Sequence, residues 1–129
     1  MTTSHVQPQR LVQFAAATML AIEIAIHVAL APGHLHEIPY VGTLFVAASV
    51  LLAIVLIAVV ITPADAWEWQ LGTSLCLAMA AAFVVSRLFG LPGFHEAWSS
   101  DGGLGLMSLP PEAVFILCAA RRGDYSGSS

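Results

Sequence analysis

The sequence predicts an all-α integral membrane protein, a four-helix up-down bundle with both termini in the cytoplasm. Three observations carry that prediction. Hydrophobic residues make up 58% of the 129-residue chain and charged residues only 9%, against about a quarter charged in a soluble domain. Too little polar surface remains to coat a water-soluble globule. The apolar residues also fall into four stretches, about 11–31, 40–62, 67–89 and 104–120, and roughly 20 helical residues cross a hydrocarbon core. Finally, Arg10 precedes the first stretch while Arg121 and Arg122 follow the last. An even number of spans puts both termini on one side, and the positive-inside rule makes that side the cytoplasm. The chain has room for one compact unit. Residues 1–10 and 121–129 read as polar cytoplasmic tails around a single domain of residues 11–120.

The first stretch follows Arg10, and Ala29-Leu30-Ala31 resembles a signal-peptidase site. Pro32 directly after the would-be cut, and Glu23 within the apolar run, argue for a retained spanning helix. Pro32-Gly33 is expected to end that helix, which makes PGHLHEIP (Pro32 to Pro39) a loop. The second stretch is almost pure Val, Leu, Ile and Ala. Pro63-Ala64-Asp65 then reads as a tight turn, with Asp65 capping the third helix and Glu68 completing a capping box. Trp67 and Trp69 fall where an aromatic belt belongs.

A loop, GLPGFHEAWSSDGG (Gly90 to Gly103), follows the third stretch and offers Phe94 and Trp98 to the membrane interface. Pro110-Pro111 interrupts the fourth stretch and frees carbonyls near Leu106 and Met107, which must face protein or water. Two readings stay open: a kinked helix, or an extended entry followed by a helix from about Leu109. Short connections favour antiparallel neighbours.

Glu23, His27, Arg87 and Glu112 lie inside the apolar stretches. Charge in hydrocarbon is costly, so such residues face the protein interior and mark a function by default. Glu23 and His27 are four apart, on one face of a helix. They suit a shared metal ion or a hydrogen-bonded packing pair. Arg87 either snorkels to the outer interface or forms an ion pair with Glu112 or Glu23. Glu112, alone on its helix, is the preferred partner. A helix starting near Leu109 would put it in the first turn, where the dipole favours a carboxylate. With the assigned orientation, His34, His36 and Glu37 of the first outer loop and His95 and Glu96 of the second form a rim above these residues.

Imidazole and carboxylate donors suit a transition metal, copper or zinc foremost. Haem is disfavoured, because only His27 lies clearly within a span. Cys76 and Cys118 lack CxxC spacing and read as small buried hydrophobes. There is no lysine, no basic patch, no phosphate-binding loop and no G-x-S-x-G, which argues against nucleic acid and against several enzyme classes. Ala17, Ala21, Ala25 and Ala29 give small-xxx-small spacing, suited to a homodimer or a larger membrane complex in the bilayer.

Two classes of function follow. In the first, favoured because so small a chain leaves little room for substrate handling, the protein is an accessory, structural or regulatory membrane subunit. In the second it binds or transfers a metal ion or proton. Glu23, His27 and Glu112 then form the floor, and His34, His36, Glu37, His95 and Glu96 the rim. An independent enzyme comes third, since no nucleophile–base constellation is present.

Abundant alanine and valine without lysine, HLHEIPYVGTLF entering the second stretch and GLPGFHEAW before the last resemble small four-span membrane proteins of high-GC bacteria. The resemblance covers most of Leu11 to Ala120 and implies a bacterial cytoplasmic membrane. It brings no activity, so no functional residue carries over.

Overall fold

Backbone groups in hydrocarbon must be satisfied within their own segment, which leaves the helix as the available form for short apolar stretches. The computed structural model describes residues 6–62, 65–98, 100 and 103–126. Its helices are α1 (Val6–Glu37), α2 (Pro39–Ile61), α3 (Trp67–Leu88), a short α4 (Leu104–Met107) and α5 (Leu109–Ser126). Four segments are long and apolar enough to cross a membrane: Pro8–Glu37, Pro39–Ile61, Trp67–Leu88 and Leu104–Asp124. Helix α1 packs on α2 and α5, and α3 on α5 and α2.

Helix α1 departs from the sequence reading at both ends. It begins at Val6, within residues read as tail, because Pro8 sits in the first turn, where no intrahelical N–H bond is lost. It also runs through Pro32-Gly33 to Glu37, so His34, His36 and Glu37 are helical and the expected loop shrinks to Ile38. Tertiary contacts hold this last turn despite the proline. The His34 Nδ1–H donates to the Leu30 carbonyl at 2.9 Å, and the ring stacks on Phe45 of α2 at 4.5 Å. The Ile38 N–H still reaches the His34 carbonyl at 2.8 Å.

The capping box does not form. Ala66 occupies the N-cap of α3 without a side-chain bond, and Glu68 turns inward to full burial. The Asp65 carbonyl instead accepts from Arg122 Nη2 at 2.7 Å. Pro63 and Ala64 of the expected turn lie outside the described residues. Neither reading of the proline pair holds in full: the entry is a short helix and not extended, and α5 starts at Leu109, as the second reading expected. Pro110 and Pro111 fall in the first turn of α5, where N–H groups have no helical acceptor anyway. Helix α5 then continues through Arg121 and Arg122 to Ser126, residues also read as tail. Trp69 leaves the expected aromatic belt for the interior and stacks on Phe115 at 5.8 Å. Phe94 likewise turns inward, edge-on to His34, while Trp67 and Trp98 stay exposed.

The apolar core unites Ala16 and Leu20 of α1, Leu52, Val55 and Val59 of α2, Trp69 and Cys76 of α3, and Phe115 and Cys118 of α5. Both cysteines are free thiols. Large apolar side chains also point outward, among them Ile54, Ile57, Val60, Leu77 and Leu117, a surface compatible with contact to a lipid bilayer. Two glycines set how closely the helices approach. Gly42 lies against the Leu35 backbone, and a Cβ there would collide with main-chain atoms. Gly72 receives the Phe115 ring, whose Cζ would stand 2.5 Å from an added Cβ.

Gly42→Ala should therefore destabilise the protein by roughly 1–3 kcal/mol, because a backbone atom cannot step aside. Gly33 has nothing within 4 Å of an added Cβ, so Gly33→Ala should stabilise α1 by about 0.5–1 kcal/mol. Thermal unfolding of both variants in one detergent checks the contrast.

Candidate functional site

Helix α1 presents one inward stripe, stepping by three or four residues through Ala16, Leu20, Glu23, His27, Ala31 and His34, all buried. That spacing is the inward face of a bundle helix. The stripe is apolar up to Leu20 and carries three ionisable groups from Glu23 onward. A polar interior thus begins midway along α1 and continues to the end that meets Phe94 and Glu96.

Glu23 is completely buried. Its neighbour across the bundle is Glu112 of α5, within side-chain hydrogen-bonding reach. Among the described residues, no N–H or O–H donor reaches either Glu23 oxygen or Oε2 of Glu112. Ionised carboxylates only accept hydrogen bonds, so a bond between two of them requires a proton on one. His27 stands one turn above Glu23, as the i,i+4 spacing implies. Its Nδ1 is 3.6 Å from Glu23 Oε2 but 2.9 Å from the Glu23 carbonyl oxygen. The ring N–H is therefore directed to the backbone, and the carboxylate receives no hydrogen bond from it.

The second group lies at the end of the bundle. Glu96, in the irregular segment after α3, bridges two helices. Its Oε2 is 2.8 Å from Arg87 Nη2 and its Oε1 is 3.3 Å from His34 Nε2. The guanidinium N–H groups are not aligned on Oε2, so the contact is Coulombic more than a directed hydrogen bond. Arg87 is additionally held by Ser86 Oγ at 2.8 Å and lies over the Phe83 ring at 4.0 Å. Its carboxylate partner here is Glu96, where the sequence pointed to Glu112. Glu112 belongs instead to the carboxyl pair with Glu23.

The remaining candidates do not join either group. His36, Glu37 and His95 are exposed. The eight proposed metal donors are thus divided between a floor, a rim and the surface. Among the described residues no group of three or more His, Cys, Asp or Glu side chains could hold a metal ion. Sequence reasoning passed over Glu68, which is wholly buried at the opposite end, with no donor among the described residues on either oxygen. Its signal was the four-residue ladder Glu68, Gly72 and Cys76, which marks the inward face of α3 more firmly than the local capping pattern marks a cap. Between floor and rim lies a cavity of about 130 Å³ reached by His27, His34, Arg87 and Glu112. No family model matches the chain, and no curated protein or solved structure matches it either.

Glu96→Ala would strip a carboxylate from a guanidinium that is only 9% exposed. Breaking a buried pair from one side should cost about 3 kcal/mol. His36→Ala and His95→Ala, at exposed positions, should change stability by less than about 0.5 kcal/mol. Denaturation midpoints of the three variants in one lipid-detergent mixture test the assignment.

Proposed function

We propose that this chain is a small regulatory membrane subunit whose interior binds a proton between Glu23 and Glu112. The observation that carries the reading is the meeting of two buried carboxyl groups from different helices with no hydrogen-bond donor on Glu23. A packing pair is made from complementary groups, as Arg87 and Glu96 are. Two carboxylates repel unless one carries a proton, so their juxtaposition favours a site that gains and loses one. Intramembrane carboxyl and imidazole groups are the usual carriers of such sites. His27 completes the route. With its Nδ1–H committed to the Glu23 carbonyl, Nε2 keeps the lone pair and can accept a proton from the cavity side; delivery to the pair then requires the Nδ1–H to turn from the Glu23 carbonyl to Glu23 Oε2, 3.6 Å away.

The accessory role fits the size of the chain and its lipid-facing apolar surface. Ala21, Ala25 and Ala29 face outward from the bundle, which leaves that small-residue ladder to a second helix, from a copy of the chain or a larger assembly. Orientation follows from the arginines. Arg122 meets Asp65, and Arg10 lies beside Val60. On the positive-inside rule that end is cytoplasmic, and the Glu96 end faces outward in an up-down bundle of a bacterial cytoplasmic membrane.

Infrared spectroscopy of the protein in lipid tests the proton site. In neutral buffer the native protein should show the C=O stretch of a carboxylic acid in a hydrophobic setting, and E23Q/E112Q should lack it. Superimposable spectra of native protein and double variant in the carboxylic-acid region would sink the proposal.

A further inference from the structure

The cavity of about 130 Å³ is comparable with the roughly 150 Å³ apolar cavity that holds benzene in an engineered protein. Its walls are mostly aromatic and aliphatic, with Phe45, Phe83 and Phe94 contributing rings. Leu44 of α2 and Ala82 of α3 line it and are also exposed on the outside of the bundle. The cavity is therefore approached through the seam between α2 and α3, from the surrounding lipid.

The polar atoms on its wall are nearly all committed. His34 is bonded to the Leu30 carbonyl and touches Glu96. Ser86 Oγ donates to the Phe83 carbonyl and accepts from Arg87. Ser108 Oγ donates to the Gly105 carbonyl. Arg87 is paired with Glu96. His27 differs. Its Nδ1–H donates to the Glu23 carbonyl, a bond that fixes the tautomer and leaves Nε2 as an acceptor. Nε2 is not among the side-chain nitrogens closed off from space, and His27 lines the cavity. An aromatic chamber of this size with His27 Nε2 as an acceptor fits a ring bearing a hydroxyl donor.

We propose that this cavity binds a small lipid-soluble molecule with a phenolic ring, whose O–H donates to His27 Nε2 while the ring packs among Phe45, Phe83 and Phe94. The mostly apolar walls disfavour a charged ligand. The inference is independent of the shared proton, since it uses the backbone-anchored imidazole and the cavity alone.

p-Cresol and toluene, which differ by the hydroxyl, are the probes. Their binding to the protein in lipid nanodiscs is measured by calorimetry, with protein-free nanodiscs subtracted. The native protein should bind p-cresol about tenfold more tightly than toluene, the upper range for one hydrogen bond. H27F should erase that preference, and A48L, which fills the cavity, should abolish binding of both. A82L serves as a second filling variant should A48L fail to give a folded, helical, monodisperse protein. Equal affinities in the native protein, a preference that survives in H27F, or undiminished binding in a folded filling variant would each overturn the proposal.

Discussion

A helix in a four-membered bundle has one inward stripe, and hydrocarbon around the bundle forbids polar groups almost everywhere else. That constraint organises the whole molecule. Because few positions face inward, each ionisable residue placed there becomes a neighbour of another one. Glu23, His27 and His34 share the stripe of α1. Opposite them, the stripes of α3 and α5 supply Arg87 and Glu112. The apolar residues of the same stripes, from Leu20 and Leu52 to Phe115, fill the other half. The bundle thus has one half rich in ionisable groups and one filled mainly by apolar side chains, with Glu68 buried at its far end.

The two ionic groups in the polar half obey different electrostatics. At the rim, Glu96 stands between a guanidinium and an imidazole, and opposite charges offset the loss of water. That arrangement fastens the irregular segment after α3 to α1. At the floor, two acids face each other, and the nearest basic group is His27, whose Nδ1 lies 3.6 Å from Glu23 Oε2. Such a pair gains nothing from Coulomb attraction between its members, and a proton on one of them relieves their repulsion. One group closes the end of the bundle, and the other lies deeper on the same axis. Tyr40, donating to the Pro92 carbonyl at 2.7 Å, and Phe94, packed against His34, add to the closure.

Much of this was legible in the sequence because composition and length are properties of whole segments. Four long apolar runs with few charges have one physical solution, four helices able to cross a bilayer. The i,i+4 relation of Glu23 and His27 was equally legible, since helical geometry fixes it. Local punctuation was less informative. Pro32-Gly33 reads as a helix end, but a histidine stacked on Phe45 and a glycine at position 42 hold α1 and α2 so closely that the helix persists. Asp65 and Glu68 spell a capping box, yet the inward period of α3 captures Glu68. The partners of Arg87 and Glu112 were beyond the sequence for a different reason. Glu96 sits in an irregular segment, and no periodicity says which residue of such a segment turns inward.

Glu68 adds a last constraint on what the carboxyl pair can do. On the inward face of α3 it is followed, turn by turn, by Gly72 and Cys76, and the Phe115 ring occupies the notch at Gly72 while stacking on Trp69. Glu112 lies about one turn before Phe115 on α5. The aromatic ring therefore separates Glu68 from the Glu23–Glu112 pair, together with Leu20, Leu52 and Val55, all fully buried. The Cys76 thiol is the buried group of α3 nearest in register to this layer. On the proposed reading, a proton bound at the pair would exchange by way of His27 and the rim. Access from that end alone would make the proposed site responsive to proton activity at the Glu96 end. Conduction across the membrane would additionally require the Phe115 ring to leave Gly72, and the close fit of ring to glycine opposes that motion.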